Sequence, residues 1–293
     1  MDVSVIIVSY NTCDLLKKCI CSILEKTKGV SFEIIVVDNH SSDESVKVIT
    51  ESFPEVKIIS LEENLDFGRA NNWGSYKSIG KYLFFLNPDT ILLNDAISIL
   101  VEFLSKNPEI AIVGGNLYKE DMSFNGSYRM EMPSFFDEIK GVLNYNNNNC
   151  ECFNLSNQPK EVQYVCGADM MIKKKVFEEI GGFNPNFFMY CEEPFISNEA
   201  RKLGYKTYSC PKAKIIHKDG SSCKNNQFDK ITRFYSVESH LKFSRYYMGY
   251  FKYFILKMMH VLKSSIALIK ALFINDSRRI RYWKKYLYVV LHS

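Results

Sequence analysis

Asp38, Asp89, the Glu192-Glu193 pair and His217 are the side chains of this sequence whose types and positions could do chemistry together. Asp89 follows the apolar run Tyr82 to Leu86 and then Asn87-Pro88. Proline cannot continue a central ladder, so the run should end as a strand and leave Asp89 at the carboxyl edge of a sheet. Asp38 closes the run Phe32 to Val37, and His217 closes Ala213 to Ile216. Carboxylate oxygen and imidazole together suit Mn2+ or Mg2+ holding a diphosphate. A separate carboxylate could then serve as general base on a hydroxyl. Singly, each residue has a plainer reading: a turn former for Asp89, a structural strand-end histidine for His217, a solvated face for the two glutamates. The glutamates, however, lie between Phe187-Phe-Met-Tyr190 and Phe195, an aromatic setting unlike a solvated face.

The elements that must position these residues alternate. Val3 to Val8 reads as a first strand. Asn11 or Thr12 then caps a helix whose apolar residues Leu15, Leu16, Cys19, Ile20, Ile23 and Leu24 recur at helical spacing. The Phe32 strand, apolar but for Glu33, has the composition of a strand covered on both faces. Ser41-Ser-Asp-Glu44 has the form of a capping box before a helix with Val46, Ile49 and Phe53 inward. A third strand spans Val56 to Leu61, and Asn64 to Gly80 gives a loop and a helix. The Tyr82 strand precedes a helix capped at Asn94, with Ile97, Leu100, Val101 and Leu104 on one face and Pro108 closing it. Four such repeats predict an α/β fold with a doubly wound, mostly parallel sheet. Beyond about residue 115 the alternation breaks. Residues 116–163 read as irregular, with the Asn146 to Asn149 run as a surface loop. Regular structure resumes over Val162 to Ile172, in a helix begun by Lys173-Lys-Lys175, in a helix ended by Gly204, and in strands Thr207 to Cys210 and Ala213 to Ile216.

Composition is that of an ordinary globular chain: 293 residues, 46% hydrophobic and 24% charged. The net charge of +4 conceals an asymmetry, because residues 224–293 hold 14 Lys and Arg against three Asp and Glu. That is +11, leaving −7 for the preceding 223 residues. The nine cysteines lack zinc-knuckle spacing and suit reduced core thiols in a cytoplasmic protein. Val3 to Val8 is too short for a signal-peptide core and has no basic stretch before it. Neither a G-x-G-x-x-G after the first strand nor a P-loop is present, which argues against a dinucleotide or ATP site of the usual kind.

Seven segments in order resemble the family 2 glycosyltransferases of GT-A fold, in the branch that includes bacterial polysaccharide rhamnosyltransferases. They are Ser4 to Asn11, Val36 to Asp43, Asn64 to Gly74, Phe85 to Asp89, Gly181-Gly-Phe183, Phe188 to Glu193, and His217-Lys-Asp-Gly-Ser-Ser222. The resemblance implies that Tyr10, Asn11 and Asp38 line the base and ribose of a nucleotide. Asn64, Gly68, Asn72 and Gly74 would form a loop close to it. Asp89, as the second acid of the family's D-x-D, would hold the metal, with His217 as a further ligand. Glu193 stands where inverting members carry their base. Asn87 replaces the first acid of D-x-D, so its contact would be a neutral hydrogen bond. Glu192-Glu193 replaces the usual Glu-Asp, and Pro194, Phe195 and Glu199 depart from what commonly follows.

The implied activity is metal-dependent, inverting transfer from a nucleotide-diphosphate sugar, dTDP-rhamnose or a UDP-sugar, to a hydroxyl of a lipid-linked saccharide in bacterial surface-polysaccharide synthesis. The alternative is a non-catalytic sugar-nucleotide or glycan-binding scaffold on a degenerate domain. The expected division is a catalytic domain over 1–225 and a basic, helical region over 226–293. That region holds 15 aromatic residues from 228 onward, and at 100° per residue Arg245, Lys252, Lys263 and Lys270 share one side of a helix. Lysines interrupt the apolar residues too often for a membrane span of about 20 residues. The pattern suits a helix lying on an anionic membrane surface, which would make the protein peripheral on the inner face of the cell membrane. Packing on the catalytic domain or a homo-oligomer contact is the other reading. No nucleic-acid-binding motif accompanies the charge.

Overall fold

The computed structural model describes residues 1–143, 151–218 and 228–293; the Asn146 to Asn149 run, Cys150 and residues 219–222 of the last motif lie outside the described residues. The chain divides into two compact units. The first comprises Met1–Met132, Cys150–Pro185 and Glu192–Lys224, the second Pro133–Asn149, Asn186–Cys191 and Asn225–Ser293.

In the first unit the apolar runs become the strands β1 (Val3–Ser9), β2 (Phe32–Asp38), β3 (Lys57–Ser60) and β4 (Tyr82–Leu86). Between them lie α1 (Cys13–Lys26), α2 (Ser45–Ser52) and α3 (Phe67–Tyr76). The chain continues through β5 (Thr90–Leu92), α4 (Ala96–Lys106), β6 (Ile110–Tyr118) and β7 (Tyr128–Arg129). After α5 (Phe135–Val142), which belongs to the second unit, come β8 (Lys160–Val162), β9 (Tyr164–Val165) and β10 (Asp169–Lys173). The unit closes with α6 (Lys174–Ile180), α7 (Glu192–Lys202) and β11 (Lys206–His217).

The sheet order is β3-β2-β1-β4-β10-β6-β11-β5, with β8 on β11. β1 pairs in parallel with β2 on one side and β4 on the other, so the strand order reverses between β1 and β4. In open α/β sheets a ligand crevice lies at the carboxyl ends beside such a reversal. Tyr10 and Asn11, Asp38, and Asn87 to Asp89 are the residues that follow or end β1, β2 and β4.

Several local expectations are corrected. β6 is an unforeseen strand that pairs with both β10 and β11, and its last residues, Asn116 to Tyr118, fall in the stretch expected to be irregular. Its glycines are there for packing: a Cβ on Gly114 would meet Val165 Cβ at 2.9 Å, and one on Gly115 the Ala213 carbonyl oxygen at 2.7 Å. The Ser41 capping box does not form, and the N-cap of α2 is Glu44 with no side-chain cap bond. Ser41 and Ser42 instead hold the first loop, for Ser41 Oγ accepts from Asn11 N and Asn11 Oδ1 accepts from Ser42 N. The cap of α4 is Asp95, whose carboxylate accepts from Ser98 N, rather than Asn94. Asn94 bridges to β11, donating to Lys212 O and accepting from Lys214 N. The two last strands are one, β11, with a register irregularity between Ser209 and Lys214.

The second unit packs α5 with α8 (Phe228–Tyr247), α9 (Tyr250–Phe273) and α10 (Ser277–His292). Its core is Phe234, Leu241, Tyr253, Leu256, Tyr286 and Val290. Gly249, at φ +83°, breaks the helix before α9, so the single basic stripe expected from Arg245 to Lys270 does not exist. Arg245 lies on α8, Lys263 donates to Val142 O at the end of α5, and Lys252 lies over the Phe135 ring. No helix among the described residues is long and apolar enough to cross a membrane.

His260 gives this unit an acid-sensitive point. Its Nδ1 lies 2.7 Å from Tyr286 Oη, and burial pulls its pKa down to about 4 from 6.5. His240 runs the other way: burial opposes its charge, but Cys191 and Glu138, whose Oε1 is 2.6 Å from Nδ1, outweigh it and keep it protonated. The folded unit keeps His260 neutral while the unfolded chain protonates it below pH 6.5, so stability is lost as pH falls from 6.5 toward 4. The expected loss from this group at pH 5 is about 2 kcal/mol. Urea unfolding at pH 7 and pH 5 checks it, since His260→Gln should remove about that much of the pH dependence.

Candidate active site

Three side chains far apart in sequence meet at the end of β4. Asp89 is buried and its Oδ1 makes no hydrogen bond, while His217 Nε2 lies 3.4 Å from it. Asn87 Nδ2 approaches the same imidazole nitrogen at 3.5 Å. The backbone fixes this meeting: His217 is paired with Thr90 across β11 and β5, and Lys218 N donates to Asp89 O. A buried carboxylate oxygen with no hydrogen-bond partner, facing an imidazole, is a donor pair that fits a hard divalent cation. No cluster of three or more His, Cys, Asp or Glu exists among the described residues. A diphosphate-bridging cation does not need one, because Mg2+ commonly takes one or two carboxylates and the substrate's own phosphates.

The adjacent glutamates point apart. Glu192 is buried, and a Cβ on Gly68 would lie 3.8 Å from its Cγ and 3.2 Å from Phe183 Cβ. Glu193 turns to the β9–β10 turn, where Gly167 N donates to its Oε1 at 3.0 Å. One residue on, Ala168 O accepts from Asn87 N at 3.0 Å. The turn Cys166 to Ala168 therefore holds both the Glu193 carboxylate and the Asn87 tip. Burial raises the Glu193 pKa above the usual glutamate value, against the pull of the Gly167 N–H and of Arg129. Sequence patterning missed this turn, and nothing in its composition marks it. Asp169, just after it, was missed as well. It is fully buried, accepts from Gly115 N at 2.6 Å, and burial keeps it protonated far above the ordinary range.

At the other strand ends, Asp38 is buried, with Oδ2 accepting from Ser41 N and Oδ1 without a hydrogen bond. Tyr10, exposed, follows Ser9, which is the register partner of Asp38, and Asn11 adopts a left-handed φ of +54°. Asn39, passed over as a site residue, organises the next loop. Its amide donates to Asn64 Oδ1 and Asp66 O and accepts from Leu65 N. Asp66, at φ +95°, caps α3 by accepting from Arg69 N and pairs with the Arg69 guanidinium.

Three of the loop residues expected beside a nucleotide also have a packing role. Gly68 is small because Phe183 crowds it, and Gly74 because a Cβ would come within 2.5 Å of Ile6 Cγ2. The Asn72 amide is taken up by the backbone of Phe183, donating to its O at 2.8 Å and accepting from its N at 2.9 Å. This holds the Gly181-Gly182 turn, both of whose residues have positive φ.

Residues 4–181 match the family described as Glycosyl transferase family 2, well over half of the chain. The chain belongs to this family. It is a glycosyltransferase, and its fold is GT-A. Among curated relatives it is 23% identical over 233 residues to the N-acetylglucosaminyl-diphospho-decaprenol L-rhamnosyltransferase of Mycobacterium tuberculosis, covering 73% of this chain and 75% of that one. Among solved structures it matches the mannosyltransferase PcManGT of Pyrobaculum calidifontis in complex with GDP-Man and Mn2+, at TM-score 0.58 and 14% identity, over 99% of this chain and 85% of that one. GalNAc-T7 with UDP, GalNAc and Mn2+ matches at TM-score 0.57 and 18% identity, over 82% of this chain and half of that one. Identities this low make the structural matches statements about fold.

Proposed function

We propose that this family 2 glycosyltransferase moves a sugar from a nucleotide-diphosphate donor to a hydroxyl of a lipid-linked saccharide, with inversion at the anomeric carbon. The observation that carries the proposal is the Cys166 to Ala168 turn, which ties the Glu193 carboxylate and the Asn87–Asp89 tip to neighbouring residues. A base and a diphosphate anchor are what such a transfer needs on opposite sides of the reacting carbon.

Glu193 takes the proton of the acceptor hydroxyl as the oxygen bonds to the anomeric carbon and the bond to the diphosphate breaks. Its raised pKa brings the carboxylate closer to working pH, and the Gly167 N–H fixes its orientation. Asp89 and His217 would hold Mn2+ or Mg2+, which when bound offsets the charge of the leaving diphosphate. The two solved complexes of related fold contain Mn2+, which supports a divalent metal. Tyr10 and Asp38 line the base and ribose, Asn87 donates a neutral hydrogen bond beside the diphosphate, and Asn64 borders the pocket. Gly68 and Asn72 shape that border through Phe183.

The donor is a dTDP-deoxysugar or a UDP-sugar, and the acceptor is lipid-linked, a reading supported by the similarity to the mycobacterial N-acetylglucosaminyl-diphospho-decaprenol L-rhamnosyltransferase. Such an acceptor places the enzyme at the inner face of the cell membrane, with the helical second unit as its membrane-associating part. A panel of nucleotide sugars tests the reading through donor hydrolysis with Mn2+, using Asp89→Ala as control. One donor should turn over well above the rest. Equal, Asp89-independent background for every donor would leave only a binding scaffold.

A further inference from the structure

Among the described residues, the second unit carries a surface that its own packing does not use. α9 buries Tyr253, Leu256, His260, Ser264 and Ala271 along one side. Phe251, Phe254, Met258, Leu262, Ile269 and Phe273 are each 48 to 87% exposed. At 100° per residue they fall within a sector of about 100° opposite the buried side. One exposed leucine is ordinary, whereas an apolar row along a 24-residue helix, roughly 36 Å long, marks a surface that meets something.

Charge decides what it meets. Residues 224–293 carry +11. Lys252 and Lys270 are exposed on the shoulder of the apolar row, and Arg278, Arg281, Lys284 and Lys285 are exposed along α10. A second copy would set this basic stretch, +11 over residues 224–293, against an equally basic one. An anionic bilayer offers acyl chains to the row and phosphates to the rim at once, and the lysines of α9 are too frequent for it to span.

We infer that α9 lies in the plane of an anionic membrane, with its Phe251–Phe273 row at the boundary of headgroups and acyl chains. The inference rests on the lipid-linked acceptor proposed above and gives that acceptor's membrane a named docking face. It shifts the contact from a stripe of lysines to an apolar row with a basic rim. Binding should therefore weaken with salt without vanishing, since salt screens exposed charges and leaves apolar insertion in place.

Flotation of the full chain with vesicles of phosphatidylglycerol and phosphatidylcholine tests it. Truncation is unsuitable, because the unit also includes Pro133–Asn149 and Asn186–Cys191. Leu262→Asp with Ile269→Asp should reduce vesicle partitioning by about 100-fold or more, with circular dichroism and donor hydrolysis unchanged. Phe251→Ser with Phe273→Ser should act in the same direction should the first pair misfold. Arg281→Glu with Lys284→Glu should weaken binding to anionic vesicles. Wild-type failure to float, or flotation undiminished in both apolar variants, would overturn the inference. So would a wild-type dimer that the apolar variants convert to monomer with no loss of flotation, which would make the row a contact between copies. Flotation without turnover of any donor would spare the membrane face and sink the transfer reading instead.

Discussion

Glu193→Gln should lower kcat by roughly 10²–10⁴ while leaving donor affinity nearly unchanged. Glutamine keeps the shape and can still accept from the Gly167 N–H, so the substitution removes the base and little else. In the wild type kcat should rise with pH through a pKa above the ordinary glutamate value of 4.5, because the carboxylate must be ionised to take the acceptor proton. That rise should be absent in the variant. Gly167→Ala offers an independent check: its Cβ would fall 2.5 Å from Glu193 Oε1 and push the carboxylate aside, so kcat should fall although the base is retained. Glu192→Gln should act on stability more than on turnover, since Glu192 is buried near Gly68. Normal turnover by Glu193→Gln together with an inert Glu192→Gln would exchange the two roles, and full activity of both would place the base elsewhere.

Asp89→Ala should abolish transfer and metal-dependent nucleotide binding together. A cation on a leaving diphosphate is worth several kcal/mol of charge stabilisation, and Asp89 supplies the only carboxylate in the group formed with Asn87 and His217 among the described residues. Wild-type activity should vanish in EDTA and return with Mn2+ or Mg2+. Titration calorimetry with a nucleoside diphosphate should show Mn2+-enhanced binding for the wild type and none for the variant, a readout that does not depend on turnover. His217→Ala should weaken the same enhancement without eliminating it. Undiminished activity of Asp89→Ala in chelator would dismiss the assignment.

The fold and the strand-end residues were legible because both depend on local pattern. Apolar runs of strand length, helical spacing between them and Pro88 after Leu86 are enough to place Asp38 and Asp89 at one edge of a parallel sheet, and the strands form there. Burial on both faces removes the alternation of polar and apolar residues, which is why β2 reads as nearly continuous apolar sequence. The seven motifs then narrowed the chemistry to one family.

What local pattern cannot carry is which distant segments become neighbours. Asn87 and His217 are 130 residues apart, and their approach depends on β5 pairing with β11 across the sheet. The Gly167–Glu193 bond depends equally on where α7 packs. The same limit hides packing roles. Gly68, Gly74 and Asn72 look like residues kept small or polar for a ligand, and their types also answer to side chains and backbone brought in from Ile6 and Phe183. Gly114 and Gly115 lie inside β6, where Val165 and Ala213 leave no room for a Cβ. A helical wheel drawn from Arg245 to Lys270 assumes one helix, and Gly249 ends that assumption. Residue types and spacing determined the sheet, its edge and the kinds of chemistry the edge could do. Tertiary packing decided which of those side chains share a site, because contact across the chain is a property of strand order and not of sequence distance.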